Sequence, residues 1–586
     1  MKVSAAKALI EELVLWDVDH VYGIPGSSLN GMMAALSQSQ DKMKYIQVRH
    51  ESAGSMAASA EYKLSGKIGV AFGSAGPGST NLINGLYDAK MDRAPMLALV
   101  GQTASVNQNT MFFQETEIMP LFENVSVYNR KATNADQIPY MVNDAIRTAY
   151  EQKGPAIVIL PNDLMEEEID YIPTSGATKI IPKAKRFEIE DEKVENIADR
   201  LKNAKNPVLY LGRGVMGHMD QAIQVAEQFN LPVVTTGSSI GLSFPANHPN
   251  FMGSFGRVGT KPANEAIEQA DIVLFVGASL PFARYWKQSN PEIKVIQVNN
   301  SFREIGRQIA ADDSIVADSG DFFDKLLATG VSRDETPELR AARRNMKSWR
   351  EYLEHNAYRG DNRIYYETVL KEINKHANED AIFAVGVGNN TLHSARLLEL
   401  NGTQNYTMSG WFATLGYSTP ASIGAQLQFP DRQVFSIVGD GGYAMNMQEI
   451  VTQTKYHLPI INVVVTDSTY SFIKHAQLER YHDEFGVDIM DADWAKTAEG
   501  MGAIAFSVRT VDELQEAFDK AKKLYDEGID QPIFIEAKAV YEDPLDTSHL
   551  TVNPDRYSRE EIDAYLKENN IEDLPILADL IEEERQ

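Results

Sequence analysis

Short runs of β-branched and aliphatic residues alternate with segments whose apolar positions recur every three or four residues. In the first third of the chain, residues 45–48, 68–72, 96–100 and 156–160 read as strands, and residues 51–64, rich in small side chains, as a helix. Strands separated by helices make βαβ units and hence a parallel sheet. From Ile172 to Lys193 the pattern lapses into Pro, Thr, Gly and Lys and then a mixed-charge run, which predicts a linker. A second block follows, with a helix over 194–202, strands at 208–211, 232–236, 272–276, 295–298 and 315–317, and a turn from Gly212 to Gly214. The charged stretch 332–350 predicts a bridging helix. A third block has strands at 381–385, 434–438, 460–466 and 533–537 and resembles the first in architecture. The expected fold class is α/β, with three doubly wound parallel-sheet domains over residues 1–180, 190–340 and 350–545. An acidic C-terminal tail, residues 546–586, is expected to form one or two short helices.

Composition narrows the function classes. The chain has 586 residues, 43% of them hydrophobic, which fits a globular protein and excludes a disordered or fibrous one. Lys and Arg number 55 against 82 Asp and Glu, a net charge of −27 that argues against nucleic acid and against anionic lipid. With no cysteine there is no disulfide, thiolate metal site, iron–sulfur cluster or cysteine nucleophile. Residues 1–20 interleave apolar and charged positions as an amphipathic helix does, unlike a signal peptide. No segment approaches the ~18 apolar residues of a membrane span. A cytoplasmic protein is the expectation.

Candidate chemistry begins where strand 434–438 runs into Gly439-Asp440-Gly441-Gly442, with helix-forming residues from about Ala444. Glycines between a strand and a helix bring backbone N–H groups close to an anion, and Asp440 adds a hard oxygen ligand. Strand 460–466 then delivers Asp467 to the same sheet edge. Two carboxylates beside a phosphate-binding turn suit Mg²⁺ shared with a diphosphate. This pattern resembles the metal and diphosphate motif of the thiamine diphosphate (ThDP) enzymes. The resemblance implies Asp440, Asp467 and the backbone carbonyl of Thr469 as metal ligands, with Gly439, Asp440, Gly441 and Gly442 around the cofactor. The family usually carries Asn where Asp467 stands, so this site has one more negative charge.

The resemblance extends to the segment that activates the cofactor. Val48-Arg49-His50-Glu51 matches the Arg-His-Glu of the family's pyrimidine-binding domain, in which a Glu hydrogen-bonds the aminopyrimidine ring. Tyr22-Gly23-Ile24-Pro25-Gly26, Gly73-Ser74-Ala75-Gly76-Pro77-Gly78, Asn84-Gly85-Leu86-Tyr87-Asp88-Ala89 and Phe113-Gln114-Glu115 continue the match in order. Phe412-Ala413-Thr414-Leu415-Gly416 resembles the segment that wedges ThDP into its bent form, with Leu415 as the wedge and the backbone near Ala413 meeting the pyrimidine. In this family the Glu and the metal site of one cofactor come from different subunits. The resemblance therefore implies a homo-oligomer, at least a dimer and by expectation a tetramer.

Within the superfamily the chain resembles the bacterial FAD-containing pyruvate oxidases, through residues 66–92, 257–265, 275–277 and 281–283. That implies an FAD-binding middle domain contacted by Gly212, Gly214, Thr236, Arg257 and Asp318. Where relatives carry an acidic pattern after a strand, this chain reads Val298-Asn299-Asn300-Ser301. Phe113, Gln114, Phe472 and Ile473 are expected to shape the catalytic pocket beside Glu51, and Gly26 and Ser27 to approach the substrate. Phe472-Ile473-Lys474 matches pyruvate oxidases, whereas acetolactate synthases usually show Gly-Met-Val and a Trp there. A charged side chain is common where Ala476 stands. No two of the eleven histidines are adjacent, unlike the His pair of pyruvate decarboxylases. The implied reaction is oxidative decarboxylation of pyruvate, with phosphate and O₂, to acetyl phosphate, CO₂ and H₂O₂. The alternatives are an acetolactate synthase-type carboligase, a quinone-linked oxidase releasing acetate, and a non-catalytic scaffold. The last is disfavoured because Glu51 and Asp440 are both present. The tail from Tyr557 is net −7, which predicts a cap over the protein's own surface rather than a lipid anchor.

Overall fold

The computed structural model describes residues 2–174, 188–279 and 290–586. It contains three six-stranded sheets, each wholly parallel, with helices packed on both faces. In spatial order the first sheet runs Lys44–Gln47, His20–Gly23, Gly69–Gly73, Met96–Gln102, Pro155–Pro161, Tyr128–Lys131. The third runs Asn405–Met408, Ile382–Val385, Val434–Gly439, Ile461–Thr466, Ile533–Lys538, Ile504–Val508. Numbered by appearance in the chain, both have the order 2-1-3-4-6-5. The middle sheet runs Phe251–Ser254, Val233–Thr235, Pro207–Leu211, Ile272–Val276, Lys294–Asn299, Asp313–Val316. Its order, 3-2-1-4-5-6, is that of dinucleotide-binding folds. Ligands in such sheets bind beyond the carboxyl ends of the strands where the order reverses. Each sheet therefore offers one crevice, and the candidate motifs stand at these three places.

The central strands are buried along their whole length, Met96–Gln102 and Pro155–Pro161 among them, which is why they read as continuous apolar runs. The helix Glu51–Ser65 is buried on nearly every side. It packs on the helix Ser418–Gln428 of the third sheet's layer, and the two come so close that a Cβ on Gly424 would lie 2.4 Å from the Ala57 carbonyl oxygen. Small residues along Glu51–Ser65 thus serve interdomain contact.

Three expectations are corrected in detail. The N-terminus is not helical from its start: Lys2–Ser4 pairs antiparallel with Glu168–Asp170 before the helix Ala5–Leu15 begins, capped by Ser4. The helix after Val434–Gly439 begins at Asp440 itself, four residues earlier than its helix-forming residues suggest. The expected linker ends in a helix, since Asp191–Asn203 starts before Lys193, and residues 175–187 of it lie outside the described residues, as does the 281–283 match. The acidic tail folds into Arg559–Glu568 and Leu577–Arg585, and the latter lies on the long helix Pro337–Ala357. Arg340 and Arg344 pair with Glu584 at 2.8 and 2.9 Å, and Leu577, Leu580 and Ile581 are buried beneath. Among the described residues no helix is long and apolar enough to cross a membrane.

Candidate active site

Because the helix starts at Asp440, that residue is both the end of the strand's turn and 2% exposed. Its Oδ1 accepts from the Gly441 N–H at 2.8 Å and its Oδ2 from the Ser468 N–H at 2.9 Å. Ser468 holds φ +57°, a left-handed turn between the neighbouring Asp467 and Thr469. Asp467 accepts from the Thr469 N–H at 3.3 Å and from the Ser471 hydroxyl. Burial, and then the charge of Asp467, push Asp440 up to about 6, and burial raises Asp467 as well. A divalent cation between them would offset that penalty. The carboxylate oxygens and the buried Thr469 carbonyl form the all-oxygen donor set such a cation prefers.

The opposite rim of this crevice is the loop after Ile382–Val385, which turns at Gly388 into the helix Asn389–Leu397. Asn389 and Asn390 are buried, yet both amide atoms of Asn389 and the Oδ1 of Asn390 lack hydrogen-bond partners among the described residues. Unpaired buried amides cost free energy unless a ligand meets them. They face a glycine turn in which a Cβ on Gly441 would come 2.6 Å from the Tyr470 ring. Open amide groups above a backbone that admits no side chain fit a diphosphate with its metal.

Glu51 stands at the corresponding crevice of the first sheet. It opens its helix, is 7% exposed, and its Oε2 accepts from Asn81 Nδ2 at 2.9 Å. Gly26 packs against Ser74, with the exposed Ser27 next to it, and Gly76 lies against the Gln114 backbone. Gln114 is itself left-handed at φ +62°, and its neighbour Phe113 is 78% exposed. The structure thus gathers Gly26, Ser27, Glu51, Phe113 and Gln114 around the first crevice. Phe472, Ile473, Ala413 and Leu415 instead line the cleft of Gly439, Asp440, Gly441 and Gly442, and Ala413 does so with φ +55°. Glu51 does not line that cleft. Lys63, twelve positions and about 18 Å along the same helix, does.

In the middle sheet, Gly212 and Gly214 pack on Gly277 across the point where the strand order reverses. A Cβ on Gly214 would lie 2.7 Å from the Gly277 Cα. Gly214 and Thr236 line the cleft, with Asn299 and Asn300 beyond them. Arg257 and Asp318 do not. Arg257 pairs with Glu479 at 3.2 Å and lies over the Phe472 ring, while Asp318 caps the helix Ser319–Ala328 and faces His218 at 3.2 Å. Their neighbours Phe255, Val258, Ala317 and Ser319 form the wall in front of them.

The middle and third crevices are one space. A single cleft of about 1140 Å³ runs from the Gly439–Asp440 turn to Gly214 and Asn299, larger than the ~300–1,000 Å³ of an ordinary small-molecule pocket. Sequence reasoning missed several of its residues. Lys63 Nζ reaches Asp88 at 2.8 Å, Asp92 at 2.5 Å and the Met408 carbonyl at 3.2 Å. Burial opposes the Lys63 charge, but Asp88 and Asp92 outweigh it and raise its pKa. Asp92 in turn accepts from the Gly410 and Trp411 N–H groups, fixing the start of the segment that carries Ala413 and Leu415. Asp88 lies inside a motif noted above, whereas Lys63 reads as one more polar position on a helix. Arg213 also lines the cleft and, among the described residues, pairs with no carboxylate; it donates only to the Lys63 carbonyl at 3.3 Å.

Residues 3–121, 194–326 and 386–537 match in turn the N-terminal TPP binding domain, the central domain and the C-terminal TPP binding domain of the thiamine pyrophosphate enzymes. The pyruvate oxidase of Lactiplantibacillus plantarum is 38% identical over 582 residues, covering 98% of this chain and 95% of that protein. The acetolactate synthase large subunit of Parasynechococcus marenigrum is 31% identical over 490 residues (82% of this chain, 79% of that one). Its counterpart from Corynebacterium glutamicum is 28% identical over 556 residues (90% and 86%). Together with the three crevices, these matches show that the chain belongs to the thiamine pyrophosphate enzyme family.

Proposed function

We propose that the protein is a pyruvate oxidase dependent on ThDP, Mg²⁺ and FAD, converting pyruvate, phosphate and O₂ to acetyl phosphate, CO₂ and H₂O₂. The observation that carries this is the continuous cleft, which places a dinucleotide-type crevice in the same space as the diphosphate crevice. Identity to a pyruvate oxidase along nearly the whole chain supports it. When bound, ThDP supplies an electron sink for decarboxylation and FAD accepts the two electrons. In this reading Asp440, Asp467 and the Thr469 carbonyl hold Mg²⁺, and Asn389, Asn390 and the Gly441–Gly442 amides meet the diphosphate. Leu415 supports the bent cofactor, and Gly212, Gly214, Thr236 and Arg213 surround the FAD phosphates. Arg257 and Asp318 act from behind that wall.

Glu51 exchanges a proton with the aminopyrimidine, held at its carboxylate by Asn81. Since Glu51 and Asp440 open on different crevices of one chain, each complete site takes Glu51 from a second copy. The enzyme is then at least a dimer, and we infer a tetramer. Gly26, Ser27, Phe113 and Gln114 arrive with that Glu51 and close the pocket against Phe472 and Ile473, excluding water. The three domains bounded at residues 1–180, 190–340 and 350–545 and a cytoplasmic site of action belong to the same reading.

The test is a visible spectrum of the purified protein, followed by pyruvate, ThDP and Mg²⁺ with and without phosphate and O₂. A flavin spectrum bleached by pyruvate, with peroxide and acetyl phosphate in equal amounts, is expected. A colourless protein unable to take up FAD, or acetolactate as the product, overturns the proposal. Acetate formed only with a quinone assigns the membrane-linked variant instead.

A further inference from the structure

Between the two crevices of one chain lies a buried contact that neither crevice uses. Glu449, fully buried, sits three residues beyond the helix Asp440–Asn446. Its Oε1 accepts from the Arg49 N–H at 2.9 Å and the His50 N–H at 3.2 Å, residues 400 and 399 positions earlier in the chain. Its Oε2 accepts from the Thr452 hydroxyl at 2.6 Å, which fixes the rotamer. Arg49 and His50 are the two residues before Glu51, and His50 caps the helix that Glu51 opens, its ring accepting from the Ser52 N–H. The same stretch grips the strand further back. Tyr456 OH accepts from the Gln47 N–H at 2.6 Å, and Lys455 Nζ donates to Gln47 Oε1 at 2.6 Å.

We infer that Glu449 is a positioning residue for Glu51, clamping the peptide groups before it to the element that starts at Asp440. The inference rests on the assignment of Glu51 to the cofactor made above. The geometry favours this over a purely structural role. The Glu449 carboxylate spends its oxygens on two successive backbone donors and one hydroxyl, charge-assisted bonds that fix the peptide groups immediately before Glu51. Those donors set where the first turn of Glu51–Ser65 begins, and so where the Glu51 carboxyl points relative to Asn81. Because Glu449 and Asp440 share one helical stretch, a shift at the metal turn of one site moves Glu51, which serves the other site.

The test compares Glu449→Gln, whose amide oxygen still accepts from the Arg49 and His50 N–H groups while its NH2 donates to the Thr452 hydroxyl, with Glu449→Ala. In cofactor-free protein, hydrogen–deuterium exchange of the Arg49 and His50 amides is expected to be about ten-fold faster in E449A and near wild type in E449Q. In the second arm, deuterium exchange at the thiazolium C2 of bound ThDP is measured for wild type, E51Q, E449Q and E449A. A fall of about ten-fold in E449A, with ThDP affinity within about three-fold and rescue in E449Q, supports the positioning role. If E51Q exchanges as fast as wild type, the assignment of Glu51 has failed. If E51Q is slow but E449A is as fast as wild type, or E449Q falls as far as E449A, the inference here is overturned. Should E449A not fold, Thr452→Ala, which frees the Glu449 rotamer, is read the same way with an expected loss of about three-fold.

Discussion

Asp440 and Asp467 share a crevice in which burial penalises both charges and the charge of Asp467 adds to the penalty on Asp440. Each has a raised pKa, so in the metal-free protein the folded state binds protons more readily than the unfolded chain and is less stable at neutral pH than in mild acid. Removing one carboxylate acts in opposite directions on the two forms. Asp467→Asn should raise the stability of the metal-free protein by about 1 kcal/mol, seen as a higher melting temperature in chelator. It should also weaken Mg²⁺ binding by about ten-fold in titration calorimetry. A lower melting temperature in chelator would contradict the assignment. Glu449 obeys the same sign rule. Burial raises it to about 6 from an ordinary 4.5, so the stabilisation tied to its protonated form is present in mild acid and lost as pH rises through about 6. Wild type should therefore gain about 2 kcal/mol on Glu449→Gln between pH 7 and pH 4.5 in denaturant titrations. A pH-independent difference counts against it. At this scale the sequence was legible only where a residue sits in a motif. Gly439 to Gly442 and Glu51 carry their own signals, but Lys63, Asn389 and Glu449 owe their importance to burial against distant segments. Nothing local marks a Lys whose partners lie 25, 29 and 345 positions away.

Elements were legible where both faces of a strand are buried. Residues 272–276 read from the sequence coincide with the strand Ile272–Val276, and most other central strands agree within a residue or two, although the short buried strand His20–Gly23 was not read. Two edge strands, Lys44–Gln47 and Asp313–Val316, were read, but those whose apolar run breaks where one side meets solvent or a loop were not; Tyr128–Lys131, Tyr-Asn-Arg-Lys, is an example. Helix starts were misplaced where tertiary contacts override propensity, as at Asp440, whose two following glycines disfavour a helix that the crevice nevertheless holds. That turn has its own test. A Cβ at Gly441 would strike the Tyr470 ring, so Gly441→Ala should cut ThDP affinity by about ten-fold or more in fluorescence titration while leaving the melting temperature nearly unchanged. The tail sets two kinds of contact against each other. Its ion pairs with Arg340 and Arg344 are exposed and screened by solvent, whereas buried Leu580 contributes about 2–3 kcal/mol. Leu580→Ala should therefore destabilise the protein much more than Glu584→Ala in urea unfolding. The reverse order would mean that charge, not apolar burial, seats the helix.

At the scale of the whole molecule, the first and third sheets share the order 2-1-3-4-6-5, and under the proposed function each supplies one half of an active site at its reversal point. The comparable architecture of the two blocks was visible in the sequence, but not that Glu51 stays outside the cleft that Asp440 lines. Nor was the packing of Glu51–Ser65 on Ser418–Gln428, a contact made by small residues that carry no sequence signal of direction. The consequence is a division of labour that can be measured. If every site combines Glu51 of one copy with Asp440 of another, then Glu51→Gln and Asp440→Ala chains are each inactive alone. A mixed dimer, however, holds one site built from the two intact halves and one built from the two damaged halves. Random co-assembly of equal amounts makes half the dimers mixed, each with one of its two sites working, so about one quarter of wild-type turnover should return. Were Glu51 and Asp440 of the same chain to meet in one site, no mixture would recover activity, however the copies assembled. Co-expression of differently tagged chains, tandem purification of the mixed species and assay of peroxide release distinguish the two arrangements. The purified mixed dimer should then reach about half of wild-type turnover per dimer.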